Sequence, residues 1–196
     1  MAKIILTTHQ KGGVGKSTLS FNLAVNLREN AKVCIIDLDA QGSLYQVRDL
    51  SEVPIFPEDK LKEIQSSDFD FVFIDTPPYL SSKLTELCDL ADVIIIPTKA
   101  GVLDLLAIKS TIDIIEHSGN ENKALIVFNM VKPNTTLTEE IKDQLSDYNV
   151  KVSKNMISDL VAFSRSVLIN GVEDNNKAQK QIDALTKEVL TISINN

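Results

Sequence analysis

Five short apolar runs punctuate the chain: KIILTT at 3–8, KVCIID at 32–37, FDFVFID at 69–75, DVIIIPT at 92–98 and ALIVFNM at 124–130. They are rich in isoleucine, valine and phenylalanine and do not alternate with polar residues, as expected of strands covered on both faces. Between them apolar positions recur at helical spacing over 16–29, 58–66, 81–90, 103–117 and 138–145. Strand and helix in alternation predict right-handed crossovers, hence an α/β fold: a mostly parallel, twisted sheet flanked by helices on both faces. Beyond residue 149 the pattern predicts a strand over 150–157, a helix over 158–168, a turn at Asn170 and Gly171, and a last helix over 176–192. No repeat, low-complexity tract or Pro/Gly-rich linker divides the 196 residues, so a single domain over 1–196 is expected. The most irregular section, 40–57, follows an acidic strand end and reads as a functional loop.

The unusual chemistry falls at the carboxyl ends of the predicted strands, where open parallel sheets bind ligands. After the first strand comes HQKGGVGKST, residues 9–18. It ends as the phosphate-binding pattern G-x-x-x-x-G-K-[ST] ends, but Gln10 stands where the first glycine belongs. In the loop Gly12-Gly13-Val14-Gly15 the glycines let backbone N–H groups turn inward on an anion. Lys16 supplies a charge to the outer phosphates and Ser17 a hydroxyl for Mg²⁺, with a helix N-terminus behind them. Lys11 is a second cation, and spacing alone leaves its direction open. The second strand ends in IIDLDAQGS, where Asp37 and Asp39 share one face of an extended chain. The third ends in FVFIDTPP, placing Asp75 where a nucleotide-binding sheet puts the acid behind the Mg²⁺ hydration shell.

Composition narrows the class: 43% hydrophobic and 24% charged residues are the balance of a soluble globular protein. Cys34 and Cys88 lack metal-ligand spacing and are expected to be structural thiols in a reducing cytoplasm. No apolar run approaches the ~20 residues that span a bilayer, and MAKIILTT has no secretory h-region. Near the C-terminus Ile182, Leu185 and Val189 share a face while Asp183 and Glu188 offset Lys180 and Lys187, which predicts a docked helix and no membrane anchor. Net charge is −7, yet residues 151–196 carry six basic against five acidic side chains, so any polyanion contact must be local.

HQKGGVGKST, DLDAQGS, FVFIDTPP, ADVIIIPTKAGVLDLLAIKS and IVFNM come in the order and spacing of the ParA/MinD group of P-loop ATPases with a deviant Walker A motif, which nearly the whole chain resembles. The resemblance implies an ATPase that uses ATP and Mg²⁺, slow in basal turnover because no arginine sits in the loop. It implies that Lys11 crosses to the phosphates held by a second subunit in a face-to-face dimer. It assigns Lys16 to the β- and γ-phosphates, Ser17 to Mg²⁺, Thr18 to the α-phosphate, Asp39 to the attacking water, Asp37 and Asp75 to the metal and Asn129 to adenine. Ala40 stands where the family usually has proline and His9 where asparagine is common; the first is expected to loosen the switch loop, the second to be structural.

Within the group the chain is similar to the small partition proteins without an N-terminal helix-turn-helix domain. That resemblance implies plasmid or chromosome partition, nonspecific duplex DNA binding by the ATP-dependent homodimer, and release when a ParB-like or other centromere-binding activator stimulates hydrolysis. A cytoplasmic, nucleoid-associated protein is expected. The alternative is positioning of a protein cargo, such as a chemoreceptor cluster or carboxysome, with a MinD-like membrane cycle less favoured. DNA-contact candidates are Lys151, Lys154, Arg165, Lys177 and Lys180, with Arg165 first because its guanidinium suits phosphate.

Overall fold

A computed structural model describes residues 2–39, 44–79, 81–132, 137–145 and 147–195. Its strands are β1 (Lys3–Thr7), β2 (Val33–Asp37), β3 (Ile55–Pro57), β4 (Phe71–Asp75), β5 (Val93–Thr98), β6 (Ala124–Phe128) and β7 (Lys151–Val152). They form one sheet in the order β3-β2-β4-β1-β5-β6-β7, with every pairing parallel. The helices are α1 (Lys16–Leu27), α2 (Leu61–Gln65), α3 (Ser81–Leu90), α4 (Val102–His117), α5 (Leu137–Leu145), α6 (Val161–Arg165) and α7 (Asn176–Asn195).

The non-alternating strands follow from the two helical layers. Successive side chains of a strand point to opposite faces. Ile5, Ile35, Phe73 and Ile95 pack with Phe21 of α1 and Ile182, Leu185 and Val189 of α7. Their neighbours Leu6, Ile36, Ile74 and Ile94 pack with Leu84 of α3, Ile108 and Ile112 of α4 and Leu145 of α5. Both faces are covered, so polar positions have no place inside the runs.

The apolar face predicted near the C-terminus is therefore part of the core. Lifting α7 away would expose Ile182, Leu185, Val189 and the sheet beneath to water. At roughly 1.5–3 kcal/mol per large side chain that is a major share of the ~5–15 kcal/mol holding a domain together. Among the described residues no helix is long and apolar enough to cross a membrane. Cys34 and Cys88 are buried, and burial pushes both thiols up to about 12, so neither is poised to react.

Three elements differ from expectation, two of them the edge strands of the sheet. The section read as loop over 40–57 contains β3, three residues ending in Pro57, which an edge strand tolerates. The strand predicted over 150–157 stops after Val152. There Ser153 turns the chain, its Oγ accepting from the Asn155 N–H at 3.0 Å and donating to the Asn155 carbonyl at 3.0 Å. The helix predicted over 158–168 contracts to the five residues of α6. Ala40 lies outside the described residues.

Candidate functional site

Register builds the site. Thr7 pairs with Asp75, and Asp75 with Asp37, so the last residues of β1, β4 and β2 stand level on the carboxyl edge of the sheet. The phosphate loop leaves β1 at that edge and returns as α1. Gly13 (φ 72°) and Gly15 (φ 89°) adopt the left-handed conformation that turns consecutive N–H groups inward. A side chain at Gly15 would also collide with the Asn129 amide. The loop opens on a cavity of about 410 Å³ lined by Gly12, Gly13, Gly15, Lys16, Ser17 and Thr18, with Asp39 and Thr76 facing them.

The two lysines part company. Lys16 is 7% exposed and lines the cavity, its Nζ donating to the Lys11 carbonyl at 3.3 Å. Burial lowers its pKa, while Asp75 and Asp39 act to raise it. Lys11 does not line the cavity: its Nζ sits 2.6 Å from Asp104 Oδ1 in the first turn of α4. The Lys11 N–H donates to Nδ1 of His9 at 2.8 Å. Burial, then Lys16, lowers the His9 pKa to about 4, so the imidazole is neutral and braces the loop with its proton on Nε2. Asp104 was not singled out from the sequence, although it is the acid in the first turn of the helix after a site-bearing strand.

The three aspartates have different tasks. Asp37 accepts three backbone N–H groups, from Asp39 at 2.9 Å, Leu44 at 3.0 Å and Tyr45 at 2.9 Å. These bonds tie Leu44 and Tyr45 back to the strand end beside Asp39. Asp75 is fully buried, and neither carboxylate oxygen makes a hydrogen bond of ordinary geometry. Burial pushes its pKa up to about 7, against the nearby Ser17 hydroxyl and Lys16, which pull it down. An orphaned buried carboxylate beside a serine and two charged groups is what a hydrated Mg²⁺ requires, so the residues present fit that ion. No group of three His, Cys, Asp or Glu side chains among the described residues could cage a metal alone.

Beside Thr18 a smaller cleft is lined by Asn129, Met130, Asp159, Leu160 and Phe163. Asn129 Nδ2 donates to the Val14 carbonyl at 2.8 Å and its Oδ1 accepts from the Met130 N–H at 3.0 Å. Asn129 thus clamps the phosphate loop from the edge of this cleft. Leu160 and Phe163 escaped the sequence reading because they come from the far end of the chain.

Of the DNA-contact candidates, Lys154, Lys177 and Lys180 line one groove of about 560 Å³ with Asn155, Asn176 and Gln181. Arg165 is exposed at the end of α6 and does not line that groove, and Lys151 is paired with Glu188 at 3.6 Å.

An anion nest between the central strand and its helix, with a buried lysine, a serine and an orphaned carboxylate converging on it, defines a P-loop nucleotide-binding domain. Residues 5–171 match the CobQ/CobB/MinD/ParA nucleotide binding domain, and the chain belongs to that family. It is 28% identical over 201 residues to the maintenance of carboxysome distribution protein A of Halothiobacillus neapolitanus, covering 92% of this chain and 93% of that one. Identity to the chromosome partitioning protein ParA of Myxococcus xanthus is 21%, covering 97% and 88%. The fold matches that of a plasmid partition protein from Borrelia burgdorferi bound to AMPPNP, with a TM-score of 0.78 at 19% identity over 97% of this chain and 99% of that one.

Proposed function

We propose that the protein is a ParA-like Mg²⁺-ATPase for plasmid or chromosome partition, working as an ATP-dependent sandwich dimer that holds DNA nonspecifically until a partner stimulates hydrolysis. The observation that carries this reading is the placement of Lys11: outside its own phosphate cavity, on the rim, beside an exposed apolar surface. Val102 (62% exposed), Leu103 (73%) and Leu106 (65%) of α4 flank its partner Asp104. A lysine beside an uncovered apolar face supports a second copy seated there, with Lys11 leaving Asp104 for that copy's phosphates.

A bound Mg²⁺ would supply charge neutralisation for the outer phosphates. Ser17 would offer it a ligand oxygen, Asp75 would accept from its water shell with Asp37 beside it, and Lys16 would hold the outer phosphates. Asp39 orients the attacking water. Asn129 keeps the loop in register with the base cleft and presents its amide edge to adenine. Among the described residues no arginine lines the cavity, which supports a slow basal turnover.

If Asp104 restrains Lys11 in the monomer, Asp104→Asn should leave ATP affinity within twofold and tighten the ATP-dependent dimer about thirtyfold, since each dimer releases two such partly buried ion pairs of ~1 kcal/mol each. Sedimentation with MgATP reads this directly, and loss of the dimer would show that Asp104 is needed across the interface instead.

DNA retention tests the partition reading. Dimerisation doubles every phosphate contact on one rigid body, and each contact contributes about 0.9 to the slope of log affinity against log salt. Arg165→Ala should lower that slope by about two, and Lys154→Ala/Lys177→Ala/Lys180→Ala by about five, for unrelated sequences alike and with dimerisation intact. A wild-type dimer that fails to retain DNA at low salt would remove the basis for partition. The carboxysome-distribution relative motivates a second reading, a protein cargo on the same cycle, without supporting it better than partition. A centromere-binding partner recovered with the protein from its own cells supports partition, and a cargo shell protein supports the alternative.

A further inference from the structure

The cleft beside Thr18 lies between α1 and α6, lined by Thr18 and Leu19 of the first and by Leu160, Phe163 and Ser164 around the second. α6 is five residues long and none of them is buried, so packing holds it less firmly than the longer helices. Ser166, the residue after it, is fully buried. Its Oγ donates to the Phe163 carbonyl at 2.9 Å and accepts from Asn22 Nδ2 at 2.8 Å, a bond between positions 144 residues apart. Asn22, buried in α1, gives its other amide hydrogen to the Thr18 carbonyl at 2.7 Å. One chain of hydrogen bonds therefore runs through Phe163, Ser166, Asn22 and Thr18, with a cleft-lining residue at each end. Stability does not select this chain: Asn22 Oδ1 is buried without a hydrogen bond, while Phe21 and Leu23 beside it are apolar core. An apolar side chain of the same shape would spare the fold that unmet acceptor.

We propose that Asn22 and Ser166 are positioning residues for the base of the nucleotide: their hydrogen bond fixes the spacing of α6 from α1, and with it the fit of a flat ring between Phe163 and Thr18. Spacing decides this kind of binding. A gap of about 0.5–1 Å already forfeits a quarter to a half of each van der Waals contact. The phosphates are indifferent to the same displacement, since among the described residues α6 contributes nothing to the lining of their cavity. Asn22 and Ser166 therefore act on the part of the affinity that comes from the base and leave the part that comes from the phosphate loop and Lys16. This deepens the ATPase reading and rests on it for the identity of the ligand.

The test compares MgATP with magnesium tripolyphosphate, which has the phosphates and no base, by titration calorimetry. Asn22→Ala should weaken MgATP by about fivefold or more and leave tripolyphosphate within about twofold. Ser166→Ala, which removes a single oxygen atom and so keeps the test open if Asn22→Ala fails to fold, should do the same. The two together should lose no more than the stronger alone, because both break one bond. Leu145→Ala, a deletion in the core on the other face of the sheet, should leave the preference for MgATP over tripolyphosphate unchanged, so a general loss of stability does not imitate the effect. Unchanged MgATP affinity in the Asn22 and Ser166 variants, or equal weakening of both ligands, would overturn the proposal. MgATP hydrolysis by the wild type, measured alongside, separates the two readings. A base-specific loss in a protein that does not hydrolyse MgATP refutes the ATPase and leaves the positioning role, and hydrolysis with an unaltered preference does the reverse. A wild type that binds neither ligand removes both.

Discussion

Lys16→Ala should bind ATP at least a hundredfold more weakly than the natural protein, whereas Lys11→Ala should bind it within about threefold and fail to dimerise. Lys16 is the cation of the phosphate cavity, and without it the triphosphate faces Asp39 and Asp75 with backbone N–H groups alone. A hydrogen bond to a charged group is worth about 1.5–3 kcal/mol, and two such bonds to the outer phosphates already account for a hundredfold. Lys11 is held on Asp104 outside the cavity, so its removal takes nothing from the nucleotide in its own subunit. Titration with a fluorescent ATP analogue, with light scattering for the dimer, separates the two. Equal losses of affinity would place Lys11 on its own phosphates and end the cross-subunit assignment.

Asp39→Ala is expected to stop turnover without opening the dimer. The phosphate nest, Lys16, Ser17 and Asp75 are untouched by the change, so MgATP still binds and the γ-phosphate still joins the halves. Losing the group that orients the water should slow hydrolysis by about 10²–10⁴. Removing a negative charge beside the γ-phosphate should, if anything, lengthen the life of the bound state. Light scattering of the variant with ATP should show a dimer that persists, and a monomer would make Asp39 a structural residue of the loop.

The interior was open to reading in the sequence because burial on two faces leaves little choice of residue. The runs around Ile5, Ile35, Phe73, Ile95 and Leu125 each became a strand, and the order of glycines and lysine in 12–16 defined the loop before any strand was paired. What stayed hidden depends on residues far apart in sequence. The Lys11–Asp104 ion pair joins positions 93 residues apart, and the bond from Asn129 to Val14 spans 115. Nothing local in GVLDLLA distinguishes an aspartate that holds a lysine from one that begins a helix. The hydrogen bonds of Asp37 were hidden for a related reason: sharing a face with Asp39 is a property of a straight strand, whereas the carboxylate also accepts the N–H groups of Leu44 and Tyr45. The edges, β3 and β7, were short enough for a proline or a serine turn to decide them.

The sheet order also sets a timetable for the nascent chain. β1 is made first yet lies in the middle of the sheet, between β4 and β5. Its neighbour β4 is complete only once synthesis has reached Asp75, and β5 only at Thr98, about 90 residues after Thr7 and roughly 5–20 s later at ordinary translation rates. Until then KIILT is an apolar strand with at least one unpaired edge, and the phosphate loop hangs from an incomplete support. Asn129 and its clamp on Val14 arrive later still. The nucleotide site, encoded almost at the beginning of the chain, is thus among the last parts to become competent, and a half-made chain has nothing with which to hold ATP.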